Sequence, residues 1–262
     1  MKRPRVFPLA LALALLGASL CYYKAAHLGL PLSPAPIAPP DSAGLSSFDT
    51  FLLEFSLFSL PQHAQSVYHV LLTVPLGALL IVLIRNVVGF RTFGTFMPVL
   101  IALAFRETGL AWGVGLFVLI LSLGLAVRFY LETLQLLLVP RLAAMLICVV
   151  LLMALLSVAG QRLGLYQGLA VALFPMVILT LTVERMALTW EELGAAEALS
   201  QAAGSLAVAV LGHAVMSNAW LNHLVFVFPE SLLLVLAAVL LLGRYTGYRL
   251  TELWRFRAVW RD

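Results

Sequence analysis

Long apolar stretches separated by short polar segments dominate this sequence. Seven of them approach or exceed the length of about 20 residues that a helix needs to cross a bilayer. These runs are 6–23, 67–84, 110–127, 142–160, 165–183, 201–217 and 223–243. An eighth run, 92–105, is shorter, and it either crosses the membrane or turns back within it. The pattern predicts an all-α fold, a polytopic membrane helix bundle of about eight spans.

The composition excludes a soluble protein. Of the 262 residues, 63% are hydrophobic and 11% are charged, and the mean hydropathy is +1.04, whereas soluble domains are about half apolar. The net charge of +4 indicates no nucleic-acid binding, because the basic residues flank the apolar runs, where they meet anionic lipid. The two cysteines fall in separate spans, so no disulfide is predicted.

The basic residues also predict the orientation of the chain. With the N-terminus in the cytoplasm, 13 of the 16 Lys and Arg residues lie on the cytoplasmic side, and only Lys24, Arg106 and Arg162 lie outside. Such a bias follows the positive-inside rule. Both termini are therefore predicted to be cytoplasmic.

The chain is predicted to have two parts. Residues 1–66 form a membrane anchor with a short periplasmic segment, and residues 67–262 form a seven-helix membrane module with a basic amphipathic tail. Two interpretations of the first apolar run remain open. It is either an uncleaved anchor or a secretory signal, since Lys2 and Arg3 precede it and small residues lie near its end.

Two apolar stretches share a pattern of a proline, eight residues and a glutamate beside an arginine. One runs from Pro98 to Glu107 and the other from Pro175 to Glu184. The spans concerned form two triplets, at residues 92–160 and 165–243. Because three is odd, the second triplet enters the membrane from the opposite side. The sequence predicts an inverted three-plus-three repeat with short or broken helices, with chance similarity between apolar spans as the alternative.

Ionisable residues and prolines in or beside the spans are candidates for function. A charge in a membrane is costly, so it is either functional or paired for structural reasons. A proline frees backbone carbonyls that can face a ligand, or it only kinks the helix. His213 is a candidate proton relay or a hydrogen-bonded structural residue. The candidate functional core comprises Pro98, Arg106, Glu107, Pro175, Glu184, Arg185 and His213.

The cytoplasmic side offers surfaces for a partner. Thr189 and Glu192 have the spacing of a capping box, which predicts a helix that starts at Trp190 with an acidic first turn. The C-terminal tail alternates arginine with aromatic residues, which is typical of a helix at the membrane surface. The candidate docking residues are Trp190, Glu191, Glu192, Arg249, Trp254, Arg255 and Arg257.

The sequence argues against an intramembrane enzyme. Asp41, Asp49 and Asp262 are the only aspartates, and all lie outside the spans. There is no His-Glu-x-x-His pattern, no Gly-x-Ser-x-Gly elbow and no phosphate-binding Gly-Lys loop. Neither a metal site nor a cofactor is predicted.

Several stretches of the chain resemble one family. Residues 85–108, which read RNVVGFRTFGTFMPVLIALAFRET, are similar to the signature of the bacterial seven-helix membrane module that is usually fused to an inactive transglutaminase-like domain. Further similar stretches are residues 125–132, 139–144, 172–180, 184–186 and 242–250. The resemblance covers roughly residues 67–257. In that family the transglutaminase-like domain stands between the first helix and the module, where this sequence has only residues 24–66.

A weaker resemblance extends to the small membrane subunit of poly-γ-glutamate synthases, through the run from Arg141 to Leu146. Together the two resemblances imply a non-catalytic subunit of the bacterial inner membrane. Its expected partners are the lipid bilayer, a cytoplasmic ATP-grasp ligase that resembles glutamate ligases, and a periplasmic partner in place of the transglutaminase-like domain. The subunit would scaffold the ligase and pass its product. The alternatives are an independent secondary transporter of a small anionic solute and a purely structural scaffold.

Overall fold

The computed structural model describes residues 6–27, 57–134, 137–162 and 173–244. All regular structure within these ranges is helical. The helices are α1 (Val6–His27), α2 (Gln62–Leu71), α3 (Val74–Leu83), α4 (Met97–Thr108), α5 (Leu110–Thr133), α6 (Leu138–Arg162), α7 (Leu173–Leu193), α8 (Ala195–Met216), α9 (Ala219–Val227) and α10 (Ser231–Leu242). A π-helical turn, Ile84–Val88, extends α3. The predicted all-helical fold is confirmed.

The chain packs as two units. Unit 1 contains the residues up to Val88 and those from Val215 onward, and unit 2 contains Gly89–Ala214. In unit 1, α10 packs along α1 and α3, and α9 packs on α2. Gly17 allows α1 to pack close to the start of α10, because a Cβ at this position would lie 3.0 Å from the carbonyl oxygen of Glu230. The Lys24 ammonium group pairs with the Glu230 carboxylate at the end of the same contact.

Unit 2 is arranged around the short helix α4. Eight of the 12 residues of α4 are buried, and α4 packs on α5 and α7, which also pack on each other and on α6. Helix α5 runs for 24 residues and follows α4 after a single residue, Gly109, whose φ of +79° reverses the chain. The charged and broken segments of this unit form the candidate site described below.

Not all the predicted spans meet a test of length and composition. Four segments of the described chain are long and apolar enough to cross a membrane, and a fifth is obtained if the bent pair α9 and α10 counts as one. The four are Val6–Ala26, Gln62–Val88, Leu110–Thr133 and Ala195–Met216. Helix α6 has a shorter apolar part, Ala143–Leu156. Helix α4 is too short, since 12 residues extend about 18 Å against a hydrocarbon thickness of about 30 Å.

The predicted span over residues 223–243 is not one straight helix. The segment consists of α9 and α10, whose axes differ by 108°. Pro229 explains the break, because proline donates no backbone hydrogen bond and pushes the preceding residue out of the helical region. Phe228 accordingly has φ −121° and ψ 73°.

The prediction of a helix that starts at Trp190 is wrong. Helix α7 continues through Thr189 to Leu193, and the Thr189 hydroxyl donates to the Arg185 carbonyl within that helix. The break falls at Gly194, whose φ of +88° is readily adopted by glycine alone. Threonine often bonds to the carbonyl four residues earlier inside a helix. The capping-box spacing at Thr189 therefore does not mark the start of a helix.

Pro98 lies at the beginning of α4, and Pro175 lies close to the first described residue of α7. Pro98 stands in the first turn of α4, where a missing N–H leaves no hydrogen bond broken. Pro175 is the third residue of α7 as described. Pro98 therefore does not kink α4. The inverted repeat stays a prediction, since the helices of its second triplet are divided between the two units.

Candidate functional site

Arg128 is the most deeply buried charged residue in the described part of the chain. Its side chain is 0% exposed, although it lies in the last two turns of α5. One guanidinium nitrogen, Nη1, donates to the Glu132 carboxylate one turn later, and the other, Nη2, donates to Glu191 Oε1 of α7 at 2.6 Å. A fully buried charge is tolerated only with such partners. Arg128 thus ties the ends of α5 and α7 together.

A second arginine and a third glutamate complete the cluster. Glu184 Oε2 lies 3.5 Å from Arg128 Nε, and Glu184 Oε1 lies 4.0 Å from Arg141 Nη2. Arg141 belongs to α6, so the cluster joins three helices. Glu184 and Glu191 are seven residues apart, which places them on one face of α7 two turns apart. We call these five residues the ionic cluster: Arg128, Glu132, Arg141, Glu184 and Glu191.

The ionic cluster lies at the end of unit 2 where α7 turns into α8. Glu191 is three residues before the Gly194 turn, and Glu197 is three residues after it. Glu197 accepts from Arg91 Nη1 at 2.9 Å, and the Arg91 side chain is 73% exposed. Charged groups of unit 2 are thus concentrated at this end, which we call the charged end.

The segment between unit 1 and α4 is non-helical and lies against the middle of α8. The backbone N–H of Phe93 donates to Ser205 Oγ at 2.8 Å, and Ser205 is the central residue of the 22-residue helix α8. A Cβ on the neighbouring Gly204 would come closer than 3.0 Å to the Arg91 carbonyl oxygen. Irregular backbone at the depth of a helix midpoint must be covered by protein or line a cavity. A cavity of about 460 Å³ adjoins it, lined by Gly89, Phe90, Arg91, Ser200, Ala203, Gly204 and Ala207.

Helix α4 runs parallel to the second half of α8. Further along the two segments, Gly212 packs on Ala102, and His213 makes a side-chain hydrogen bond with the backbone of Ala102. The contacts advance in the same direction along both chains, from Phe93 with Ser205 to Ala102 with His213. Helix α4 therefore runs in the same direction as α8, and the non-helical segment leads up to its start. We call the non-helical segment and α4 together the broken helix.

The predicted functional core is divided between the two ends of unit 2. Glu184 is buried in the ionic cluster at the charged end, whereas Glu107 is exposed at the far end of α4. Arg106 lies near His213, close enough for an electrostatic interaction. Arg185 is exposed beside Glu184. The structure thus keeps the glutamates of the two patterns apart.

The predicted docking residues have different environments. The Trp190 ring packs edge-on against Phe129, with ring centroids 5.4 Å apart, and Glu191 is engaged by Arg128. Glu192 is exposed. The predicted tail residues Arg249, Trp254, Arg255 and Arg257 lie outside the described residues.

Three members of the ionic cluster were not predicted as functional from the sequence: Arg128, Glu132 and Arg141. Arg128 and Arg141 counted only as cytoplasmic charges. A signal was present, since Arg128 and Glu132 have the spacing of a helical ion pair and Glu184 and Glu191 are two turns apart. What the sequence does not reveal is that α5 and α7 bring these pairs into contact.

An apolar cavity lies between helices α5, α7 and α8. It has a volume of about 450 Å³ and is lined by Phe117, Val118, Leu121, Ser122, Leu125, Met186, Trp190, Leu199, Ala202, Ala203 and Leu206. These residues belong to α5, α7 and α8, and the lining is almost wholly apolar. Such a surface suits hydrocarbon and offers no group for chemistry. No group of three or more residues that could hold a metal ion occurs among the described residues.

The fold and the site define a multi-pass α-helical membrane protein with a charged end and a broken helix. Residues 41–260 match the family model described as seven transmembrane helices usually fused to an inactive transglutaminase. The chain therefore belongs to this seven-transmembrane family. The all-helical structure and the seven transmembrane helices of the family description agree with the predicted polytopic helix bundle. No curated protein and no solved structure matches the chain.

Proposed function

We propose that the protein is a non-catalytic membrane subunit that docks a cytoplasmic ATP-grasp ligase at the charged end of unit 2. Membership of the family supports the membrane module, and the likeness to poly-γ-glutamate synthase subunits suggests the class of ligase. The observation that carries the proposal is the concentration of charged side chains at the charged end. Its orientation towards the cytoplasm follows from the positive-inside prediction.

The charged end combines a rigid base with exposed groups. Arg128 joins α5 to α7 from the interior, so the turns that end these helices are held in fixed positions. Arg185 and Glu192 project from the same part of α7 and are exposed, and they are seven residues apart, which places them on one face. Exposed charges of both signs provide specificity and fast association with a complementary partner. The expected partner of the charged end is therefore a protein whose surface carries a complementary pattern of charges.

The broken helix suggests how the ligase product would be passed. The N-terminus of α4 carries a partial positive charge from its unpaired N–H groups. It lies near the depth of the α8 midpoint, beside the non-helical segment and the cavity of about 460 Å³. Half-helix N-termini that face anionic groups are a feature of transport proteins. We therefore infer that an anionic product of the ligase passes along this segment.

Reversing two exposed charges tests the docking surface. We expect the double substitution Arg185→Glu with Glu192→Lys to reduce recovery of the ligase in an affinity pull-down by about tenfold or more, which corresponds to about 1.4 kcal/mol of binding free energy. The expected effect on folding is small, since both side chains are exposed. The pull-down uses tagged protein from native membranes in mild detergent, with mass spectrometry of the captured proteins.

Glu107→Lys is the matched control, because Glu107 is exposed at the opposite end of unit 2. It should leave recovery of the ligase unchanged. Equal recovery with the double variant and the control would remove the docking role from the charged end. Failure of the unsubstituted protein to recover any ATP-grasp ligase would contradict the proposal as a whole.

A second candidate function is independent secondary transport of a small anionic solute. The observation that favours it is the broken helix, with its half-helix parallel to α8. If the purified chain alone is a transporter, vesicles that contain it will accumulate labelled glutamate or a short glutamate peptide under an ion gradient. If it is a ligase subunit, vesicles without the ligase will accumulate no more label than empty vesicles.

A further inference from the structure

A cavity in unit 1 combines an apolar lining with buried polar groups that lack partners. It has a volume of about 240 Å³ and lies between α1, α9 and α10. The polar groups belong to Lys24, Glu230 and Ser231, which we call the polar trio. The lining is almost wholly apolar and consists of Cys21, Tyr22, Ala25, Leu224, Phe228, Ser231 and Leu234. This combination suits a ligand that has both a polar and an apolar part.

The polar trio has hydrogen-bonding capacity that the chain leaves unfilled. Lys24 pairs with one carboxylate oxygen of Glu230, Oε1. The other oxygen, Oε2, and the Ser231 hydroxyl are buried and have no hydrogen-bond partner among the described residues. Ser231 as a whole is 5% exposed and lines the cavity. Buried polar atoms without a partner are uncommon and costly, so these two atoms call for a ligand that supplies the missing hydrogen bonds.

The charges of the polar trio favour a zwitterionic ligand. Glu230 Oε2 is only an acceptor, so it requires a hydrogen-bond donor. An ammonium group has three donors, so Lys24 can bind a phosphate oxygen in addition to Glu230, and the Ser231 hydroxyl can donate to the same phosphate. Lys24 and Glu230 together carry no net formal charge, so the net charge of an ionic ligand would stay uncompensated in this buried site. A phosphate linked to a primary ammonium group meets all of these requirements.

The cavity extends from the end of a membrane span towards the bilayer interior. Lys24 lies in the last turn of the span Val6–Ala26, where lysine side chains usually reach the lipid headgroups. Leu234 packs near Gly17, which is two turns deeper in α1 than Lys24. Tyr22, beside the cavity, is 77% exposed. A headgroup at the level of Lys24 and an acyl chain along the cavity therefore have the orientation of a lipid in the bilayer.

We propose that the polar trio and the adjoining cavity bind one phospholipid of the phosphatidylethanolamine class. Its ammonium group donates to Glu230 Oε2, its phosphate accepts from Lys24 and Ser231, and one acyl chain occupies the cavity. Phosphatidylcholine fits less well, because its quaternary ammonium group has no N–H donor for Oε2. The bound lipid joins the end of α1 to the start of α10. The site does not depend on which ligase or solute the protein serves.

Binding of defined lipids to the purified full chain in detergent tests the headgroup. We expect phosphatidylethanolamine to bind about tenfold or more tightly than phosphatidylcholine with the same acyl chains, the effect of one hydrogen bond to a charged group. Native mass spectrometry measures the bound lipid. Glycerophosphoethanolamine, which has the headgroup without acyl chains, should not displace the lipid at the same concentration. Equal binding of the two phospholipids would overturn the proposal, and displacement by glycerophosphoethanolamine would remove the acyl chain from it.

Ser231→Ala tests the polar trio without disturbing the fold. The substitution removes a hydroxyl that has no partner among the described residues, so the unfolding temperature in lipid-free detergent should not fall. The affinity for phosphatidylethanolamine should decrease about fivefold or more, because a donor to the phosphate is lost. Ser122→Ala is the matched control, since Ser122 lines the apolar cavity of unit 2 and its hydroxyl already donates to the Leu119 carbonyl. Equal affinities of the two variants would contradict the assigned role of Ser231.

Ala25→Phe tests whether the acyl chain lies in the cavity. Ala25 lines the cavity, and a phenyl ring there would occupy the space of the chain. A ligand that binds the native state raises the unfolding temperature, and we expect phosphatidylethanolamine to lose this effect in Ala25→Phe. Ala26→Phe is the control, because Ala26 is the exposed neighbouring residue, and this variant should keep the effect. Full stabilisation of Ala25→Phe by the lipid would place its binding site elsewhere.

Discussion

Replacing Arg128 with glutamine is expected to lower the free energy of unfolding by about 3–5 kcal/mol, the range found when one partner of a buried ion pair is removed. The substitution takes away the group that Glu132 and Glu191 both accept from. It also leaves Glu184 with only Arg141, at 4.0 Å. Three carboxylates then face one guanidinium group. Chemical or thermal unfolding in detergent measures the loss.

Arg185→Gln is the control for this experiment. Arg185 lies on α7 next to Glu184, but its side chain is exposed, so its removal should change the free energy of unfolding by no more than about 0.5 kcal/mol. The free energy of unfolding of Arg128→Lys should lie between those of Arg128→Gln and Arg185→Gln. Lysine keeps the charge but lacks the planar guanidinium group that binds two carboxylates at once. Equal stability of Arg128→Gln and Arg185→Gln would contradict the described role of Arg128.

Replacing Gly204 with alanine is expected to destabilise unit 2 by about 1–3 kcal/mol or more, the usual cost of overpacking. The new Cβ would lie closer than 3.0 Å to the Arg91 carbonyl oxygen. A backbone atom cannot turn aside as a flexible side chain can, so residues 91–93 must move away from α8. The hydrogen bond from Phe93 to Ser205 would then be stretched. The unfolding temperature and the proposed passage of solute should both decrease.

Gly115→Ala is the matched substitution. Gly115 also lies within a helix, but a Cβ there meets nothing within 4 Å. Alanine is favoured over glycine in a helix interior by up to about 1 kcal/mol, so this variant should be as stable as the unsubstituted protein or slightly more so. A Gly204→Ala protein that behaves like Gly115→Ala would show that the broken helix is not held against α8 in the way described.

The helical elements were largely predictable from the sequence. The run 110–127 became α5, and the run 201–217 became part of α8. The glycines and threonines of residues 89–95 indicated a non-helical approach to a short helix, and α4 indeed starts at Met97. Apolar periodicity is a local property, so it predicts where helices form without knowledge of their neighbours.

The errors concern breaks within apolar runs. Pro229 and the charged Glu230 indicate the bend between α9 and α10. Because apolar residues flank them on both sides, the hydropathy pattern still predicts a single span. At the end of α7 the capping pattern at Thr189 predicts a helix start, whereas the break falls at Gly194. In both cases a residue with a strong backbone preference decided the structure, and side-chain patterns around it did not.

The ionic cluster could not be predicted as a unit. Arg128 and Glu191 are distant in sequence, and nothing local to either residue indicates that their helices meet. The sequence did single out Glu184 and Glu191, although for different roles. Packing of α5 on α7 brings them to Arg128, and such tertiary contacts are not encoded in periodicity or spacing.

The pairing of Lys24 with Glu230 also has a consequence for biosynthesis. Lys24 leaves the ribosome about 200 residues before its partner, and at about 5–20 residues per second this interval lasts about 10–40 seconds. During that time the lysine lacks the carboxylate with which it pairs. The first helix can therefore settle into its final position only after the Pro229 bend has been made, so unit 1 is completed by the last part of the chain to be synthesised.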